Sequence, residues 1–202
     1  MKIERIALSP EKRDRLIADL NDALSPGVEG RVCGAHCTAV CPSCGAQGCQ
    51  CECSTACSNM PAMLSSDPEN HPIEPRIAPL SFELRRLGFF RPCWSCEGHA
   101  KDDGTVFRIP QVWFQSDSQV HVRILTDVLR ALLYRKALAA PWEIAVTHSD
   151  ADNPEVTYAL QPQGSGDGVP LSALQADVDT LARMLYGEFM VAAKQLNSKA
   201  GA

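Results

Sequence analysis

Eight of the ten cysteines in this 202-residue chain lie in one short segment, from Cys33 to Cys57. Val40 is the only branched or aromatic apolar side chain of that segment, so the segment cannot build a hydrophobic core. Ordering it costs about 1–2 kcal/mol of backbone entropy per residue. Bonds to metal can offset that cost, since one structural zinc ion contributes about 10–16 kcal/mol in small domains. The sequence therefore predicts a metal-bound lobe with little regular structure.

Disulfide bonds are the alternative use of so many thiols, because small secreted domains are often held together by them. The first residues, Met1 to Ala7, contain no apolar run followed by a cleavage site of the kind that marks a signal peptide. Cys49, Cys51 and Cys53 alternate with single residues, and bonds between such neighbours close rings too small to stabilise much. We therefore expect reduced thiols in a cytoplasmic protein.

Zinc is the metal that the cysteine spacing favours. Tetrahedral zinc takes four cysteine or histidine ligands, often from pairs two to four residues apart. Such pairs recur here, as in Cys41-x2-Cys44 and Cys93-x2-Cys96. The candidate ligands are Cys33, Cys37, Cys41, Cys44, Cys49, Cys51, Cys53, Cys57, Cys93, Cys96, His36 and His99. Twelve ligands suffice for three unshared sites, so two or three zinc ions are the predicted cofactors.

The second cysteine pair differs from the first cluster in its surroundings. Cys93, Cys96 and His99 offer three ligands of one site, which His36, His71 or a cysteine of the first cluster could complete. Aromatic residues directly precede this pair, at positions 89–90. We therefore expect the pair to lie against a core and to anchor the cysteine-rich lobe to the rest of the protein.

An iron-sulfur cluster is the alternative cofactor, because such clusters are also held by sets of four thiolates. Cys37-x3-Cys41-x2-Cys44 has the ligand spacing found in radical S-adenosylmethionine enzymes, but this chain is too short for their barrel. Covalent haem is excluded at Cys96, because Glu97 and not histidine follows it. A thioredoxin-like dithiol at Cys93 and Cys96 would need a strand-to-helix context, whereas a loop is expected after this pair.

The remaining chain predicts a fold of mixed class, α+β or α/β. The predicted units are an N-terminal helix (1–30), the cysteine-rich lobe (31–60), a proline-rich linker (61–79), a short helix with the second cysteine pair (80–104) and an α/β domain (105–202). In that domain, apolar periodicity predicts the order β-α-β-β-α at 106–115, 119–138, 142–147, 156–160 and 171–196. This order favours a two-layer domain with helices on one face of a three-stranded sheet. The apolar stripe of the last helix can face that sheet or a second copy of the chain.

Charge and hydropathy narrow the choice of partners. No stretch approaches the 18 consecutive apolar residues of a membrane span. The formal net charge is -5, and the locally basic stretch from Glu74 to Lys101 sets only five basic against three acidic side chains, which is a poor footprint for nucleic acid. No spaced pair of carboxylates indicates acid-base catalysis.

The predicted function is a zinc-stabilised binding or adaptor module with a protein partner. The alternatives are an iron-sulfur protein in electron transfer and a protein of metal storage or delivery.

Overall fold

A computed structural model describes residues 8–24, 64–65, 73–147, 155–164 and 168–200. The cysteine-rich lobe expected at 31–60, with its eight cysteines and His36, lies outside the described residues, and so does His71. What the sequence predicts for those residues stays a prediction.

Two of the described helices begin at a serine cap. The described residues contain α1 (Pro10–Leu24), α2 (Ala78–Arg86), α3 (Gln119–Tyr134) and α4 (Leu171–Ala200). Ser9 caps α1, since its Oγ accepts a hydrogen bond from Lys12 N at 3.3 Å. Ser118 caps α3 in the same way, accepting from Val120 N at 3.1 Å. Helices α3 and α4 begin at their predicted first residues, 119 and 171, and α2 begins two residues before its predicted start at 80.

Helix α3 ends four residues before the predicted end at 138, and the backbone shows why. Lys136 has a positive φ of 55°, a conformation that breaks a right-handed helix. Ala137 N donates to Leu132 O at 3.0 Å and Lys136 N donates to Leu133 O at 2.9 Å. These two bonds satisfy the last carbonyl groups of the helix and stop it there.

The strands form two sheets. They are β1 (Leu64–Ser65), β2 (Arg91–Cys96), β3 (His99–Ala100), β4 (Val106–Arg108), β5 (Gln111–Gln115), β6 (Trp142–Val146) and β7 (Thr157–Pro162). Five of them make one sheet in the order β1-β2-β5-β7-β6, while β3 and β4 form a separate antiparallel pair. All neighbours in the large sheet are antiparallel except β1 and β2. The mixed α/β class is therefore confirmed.

The prediction of three strands in the sheet is wrong, because five are present. The three predicted strands supply β5, β6 and β7, and β2 and β1 extend the sheet at one edge. Strand β2 contains Pro92, which lacks an N–H and weakens any strand pattern. The strand predicted at 106–115 is split into β4 and β5, because the chain leaves the β3–β4 pair at Ile109 and Pro110 and joins the large sheet at Gln111.

The helical crossover between parallel strands is present. Strands β5 and β6 are both antiparallel to β7, so they run in the same direction with β7 between them. Helix α3 connects them. Strands β6 and β7 form a hairpin, and β7 lies between the parallel strands β5 and β6.

The core lies between the helices and one face of the sheet. Alternate residues of β5 show which face this is, since Val112 and Phe114 are buried in the core while Trp113 lies on the opposite face and contacts Trp94, with ring centroids 4.9 Å apart. The buried stripe of α4 includes Leu174, Val178, Leu181, Leu185 and Phe189. This stripe faces the protein's own core, which resolves the alternative left open by the sequence. None of the described helices is long and apolar enough to cross a membrane.

Asp177 of α4 joins that helix to the connection between α3 and β6. Its carboxylate is buried and accepts hydrogen bonds from Ala139 N at 2.7 Å, Ala140 N at 3.1 Å and Trp142 Nε1 at 3.1 Å. Two of these donors, Ala140 N and Trp142 Nε1, belong to buried residues and would otherwise lack a partner. The carboxylate fixes where β6 begins relative to α4.

We expect Asp177→Ala to lower the free energy of unfolding by about 3 kcal/mol, because it leaves these donors without a hydrogen-bond acceptor. The measurement is chemical denaturation followed by circular dichroism. Asp179→Ala is the matched control, since Asp179 is an exposed residue of the same helix and should change stability by less than about 0.5 kcal/mol. Equal effects of the two substitutions would contradict the role of Asp177.

Candidate metal centre

Three ligand-type side chains converge at the end of β2. The group consists of Glu74, four residues before α2, Cys96, the last residue of β2, and His99, the first residue of β3. One ligand atom from each residue lies within 4.8 Å of the other two. Their chemistry differs, since the group offers a carboxylate oxygen, a sulfur and an imidazole nitrogen.

Glu74 is held in place by backbone and side-chain contacts. Its residue is only 3% exposed. Oε2 accepts a hydrogen bond from Glu97 N at 2.7 Å, and Oε1 lies 3.0 Å from His99 Nε2. Because one oxygen is used by the backbone, the other is the oxygen directed at the imidazole.

Cys96 brings a buried thiol to the same place. The residue is fully buried, and Gly98 N donates to its Sγ at 3.4 Å. His99 contributes from the solvent side, since its side chain is 35% exposed and its ring stacks on Phe107 with centroids 5.9 Å apart.

The separations are close to those of a zinc site. With zinc-to-ligand bonds of about 2.0–2.3 Å, tetrahedral ligand atoms lie about 3.3–3.6 Å apart. The Glu74 oxygen and the His99 nitrogen, 3.0 Å apart, are near this value. The upper limit of 4.8 Å within the group means that the sulfur has to move by about 1 Å at most. The three ligand atoms are therefore close enough together to hold one ion.

Gly98 allows the chain to bring Cys96 and His99 together. Its φ is +84°, and a Cβ built there would lie 2.7 Å from Leu171 Cδ1 and 2.8 Å from Pro110 Cδ. The first distance involves a flexible side-chain end, but the second involves a rigid ring. Position 98 thus needs glycine both for its backbone angle and for space.

Cys93 lies away from this group. It is the extra residue at the irregular register between Pro92 and Trp94, and three strand residues span about 10 Å. Its thiol is half buried, and burial, with a smaller effect of the Glu155 carboxylate, raises its pKa. Arg91 binds Asp117 and Glu155 beside it. In these surroundings the neutral thiol of Cys93 is favoured.

The structure thus brings together two of the ligands that the sequence predicts, Cys96 and His99, and adds Glu74. The other predicted ligands, apart from Cys93, lie outside the described residues. Glu74 falls in the proline-rich stretch and has no ligand spacing to any cysteine, so sequence reasoning missed it. Its backbone is placed by the turn before α2, where Ala78 N donates to Glu74 O at 3.2 Å.

Comparison with known proteins identifies no relative: no family profile, no curated protein and no solved structure matches this chain. The function has to be argued from the site itself.

The steric role of Gly98 can be separated from its backbone angle. Gly104 has the same φ of +84°, but a Cβ there meets nothing within 4 Å. We expect Gly104→Ala to cost about 1–2 kcal/mol of stability from the left-handed angle alone. Gly98→Ala should cost about 1–3 kcal/mol more, because Leu171 and Pro110 have to move. Denaturant titration of both variants measures the difference, and equal losses would show that the close approach does not matter.

The raised pKa of Cys93 predicts slow alkylation. A higher pKa leaves less thiolate at a given pH, so iodoacetamide should modify Cys93 with a pH midpoint above the ordinary cysteine value. Glu155→Gln removes the smaller of the two causes and should move the midpoint down slightly while burial keeps it raised. Peptide mass spectrometry across pH resolves Cys93 from the other cysteines. A midpoint below the ordinary value would instead support a reactive dithiol.

Proposed function

We propose that this chain is a zinc-stabilised binding or adaptor protein of the cytoplasm. The observation that carries the proposal is the convergence of Glu74, Cys96 and His99 within 4.8 Å of one another. The eight cysteines from Cys33 to Cys57 are proposed to hold further zinc, which gives two or three ions in all. The partner is proposed to be another protein.

The mixture of ligand atoms supports zinc at this centre. Zinc accepts cysteine sulfur, histidine nitrogen and carboxylate oxygen in one site. Calcium and magnesium prefer sites built from oxygen alone, and iron-sulfur clusters are bound mainly by sets of thiolates. A centre with one sulfur, one nitrogen and one oxygen therefore fits zinc better than these alternatives.

A hydrogen bond between His99 and Glu74 also explains their separation without any metal, and this is the simpler reading of that pair alone. Cys96 is what favours the metal. A buried thiol with a backbone donor beside a buried carboxylate places two potential negative charges close together, and a divalent cation offsets both. Zinc would also link the turn before α2, the end of β2 and the start of β3.

The His99→Gln variant distinguishes a metal site from a simple hydrogen bond between His99 and Glu74. Glutamine can still donate a hydrogen bond to Glu74, but it removes the imidazole that binds metal. For protein purified without oxygen and without added metal, we expect two or three zinc ions per chain and one fewer in the variant. Elemental analysis by mass spectrometry provides the count.

Cys93→Ser is the matched control for the same measurement. Because Cys93 lies outside the converging group, this variant should keep the full zinc content, whereas a site built on the Cys93-x2-Cys96 pair would lose an ion. Unchanged zinc in His99→Gln would contradict the metal centre. Stoichiometric iron and sulfide in the wild-type protein would replace the proposal by the electron-transfer alternative.

A further inference from the structure

The candidate metal centre is tied to helix α4 by a closed set of hydrogen bonds. Glu97 N donates to Glu74, and the Glu97 carboxylate accepts from Arg76 N at 2.9 Å. Gln175 of α4 completes the set, since its Nε2 donates to Glu97 O at 3.2 Å and its Oε1 accepts from the Arg76 guanidinium. One side chain of α4 therefore holds both segments that carry buried ligands.

We propose that Gln175 is a positioning residue of the metal centre and that, through it, metal occupancy stabilises the first turns of α4. This inference rests on the proposed function. Gln175 contacts the residue after Cys96 and the second residue after Glu74 without being a ligand itself. Groups that orient ligands from behind typically change metal affinity by about 10–100-fold when they are removed.

The location of Gln175 explains how metal binding can stabilise the start of α4. It lies one turn from Leu171, the first residue of α4, which packs against Gly98 between the two ligands Cys96 and His99. The start of α4 thus touches the centre at two points, by hydrogen bonds at Gln175 and by van der Waals contact at Leu171. Binding equilibria linked in this way are reciprocal, so a helix start that strengthens metal binding is itself stabilised by the metal.

The test compares Gln175→Met with the wild-type chain. Methionine has a similar length and helix propensity but makes neither hydrogen bond. Cobalt is used as the probe, and the part of its absorption spectrum that is absent from His99→Gln is assigned to this centre. Competition against a chelator should show that Gln175→Met weakens cobalt at this centre by about 10–100-fold.

Two further measurements distinguish positioning from general stability. Metal-free Gln175→Met should be slightly less stable than the metal-free wild-type protein, because it lacks the hydrogen bonds of Gln175 to Glu97 and Arg76, and zinc should widen this difference. Hydrogen exchange at the amides of residues 171–178 should slow on adding zinc to the wild-type chain and slow less in the variant. Gln195→Met, an exposed position on the same helix, should behave as wild type throughout.

The outcomes distinguish failure of the positioning role of Gln175 from failure of the metal centre itself. Equal cobalt affinity in Gln175→Met and wild type would overturn the positioning role while leaving the zinc centre intact. A metal-free variant destabilised as much as the metal-bound one would reduce Gln175 to a structural residue and also overturn it. If no part of the cobalt spectrum depends on His99, the metal centre itself fails, and the proposed function fails with it.

Discussion

Burial of the apolar stripe of α4 is the interaction on which the rest of the described structure depends. Burying a leucine or phenylalanine contributes about 1.5–3 kcal/mol, and α4 buries a continuous row of them, from Leu174 to Phe189. The helix contacts α1, α2 and α3, and Phe189 meets Phe90 just before β2. Because this packing is extensive, the position of the α4 start is set by the core and does not need the metal centre to define it.

The thiols therefore fall into two groups, which differ in how much of the folding free energy a bound metal would have to supply. At the candidate centre, Glu74 is already held by Glu97 N, and Gly98 already has the angle that brings Cys96 near His99. A metal ion bound there would add stability that rises with the logarithm of its concentration above the Kd, as for any ligand of the folded state. Val40 is the only branched or aromatic apolar side chain from Cys33 to Cys57, so metal would have to supply the folding free energy of that segment. The two kinds of site should therefore respond differently to a chelator.

Much of the fold follows from periodicity in the sequence, and the exceptions have physical causes. Apolar residues at helical spacing locate α3 and α4, and alternation locates β5, β6 and β7. Strand β2 is missed because Pro92 and the cysteines obscure its pattern. The early end of α3 depends on the positive φ of Lys136, which lysine adopts rarely. Glu74 cannot be found from spacing, because its approach to His99 depends on how β2 and α2 pack.

The second cysteine pair shows why ligand spacing has to be judged together with local structure. Two residues between ligands allow chelation when the chain turns between them, but they separate the side chains when the chain is extended. Cys93 and Cys96 lie in one strand, and Cys93 is not among the side chains that converge with Cys96. Cys96 and His99 have the same spacing, and here Gly98, with φ +84°, turns the chain between them. Cys96 and His99, two of the three ligands predicted for this site, therefore come close together where glycine permits the turn.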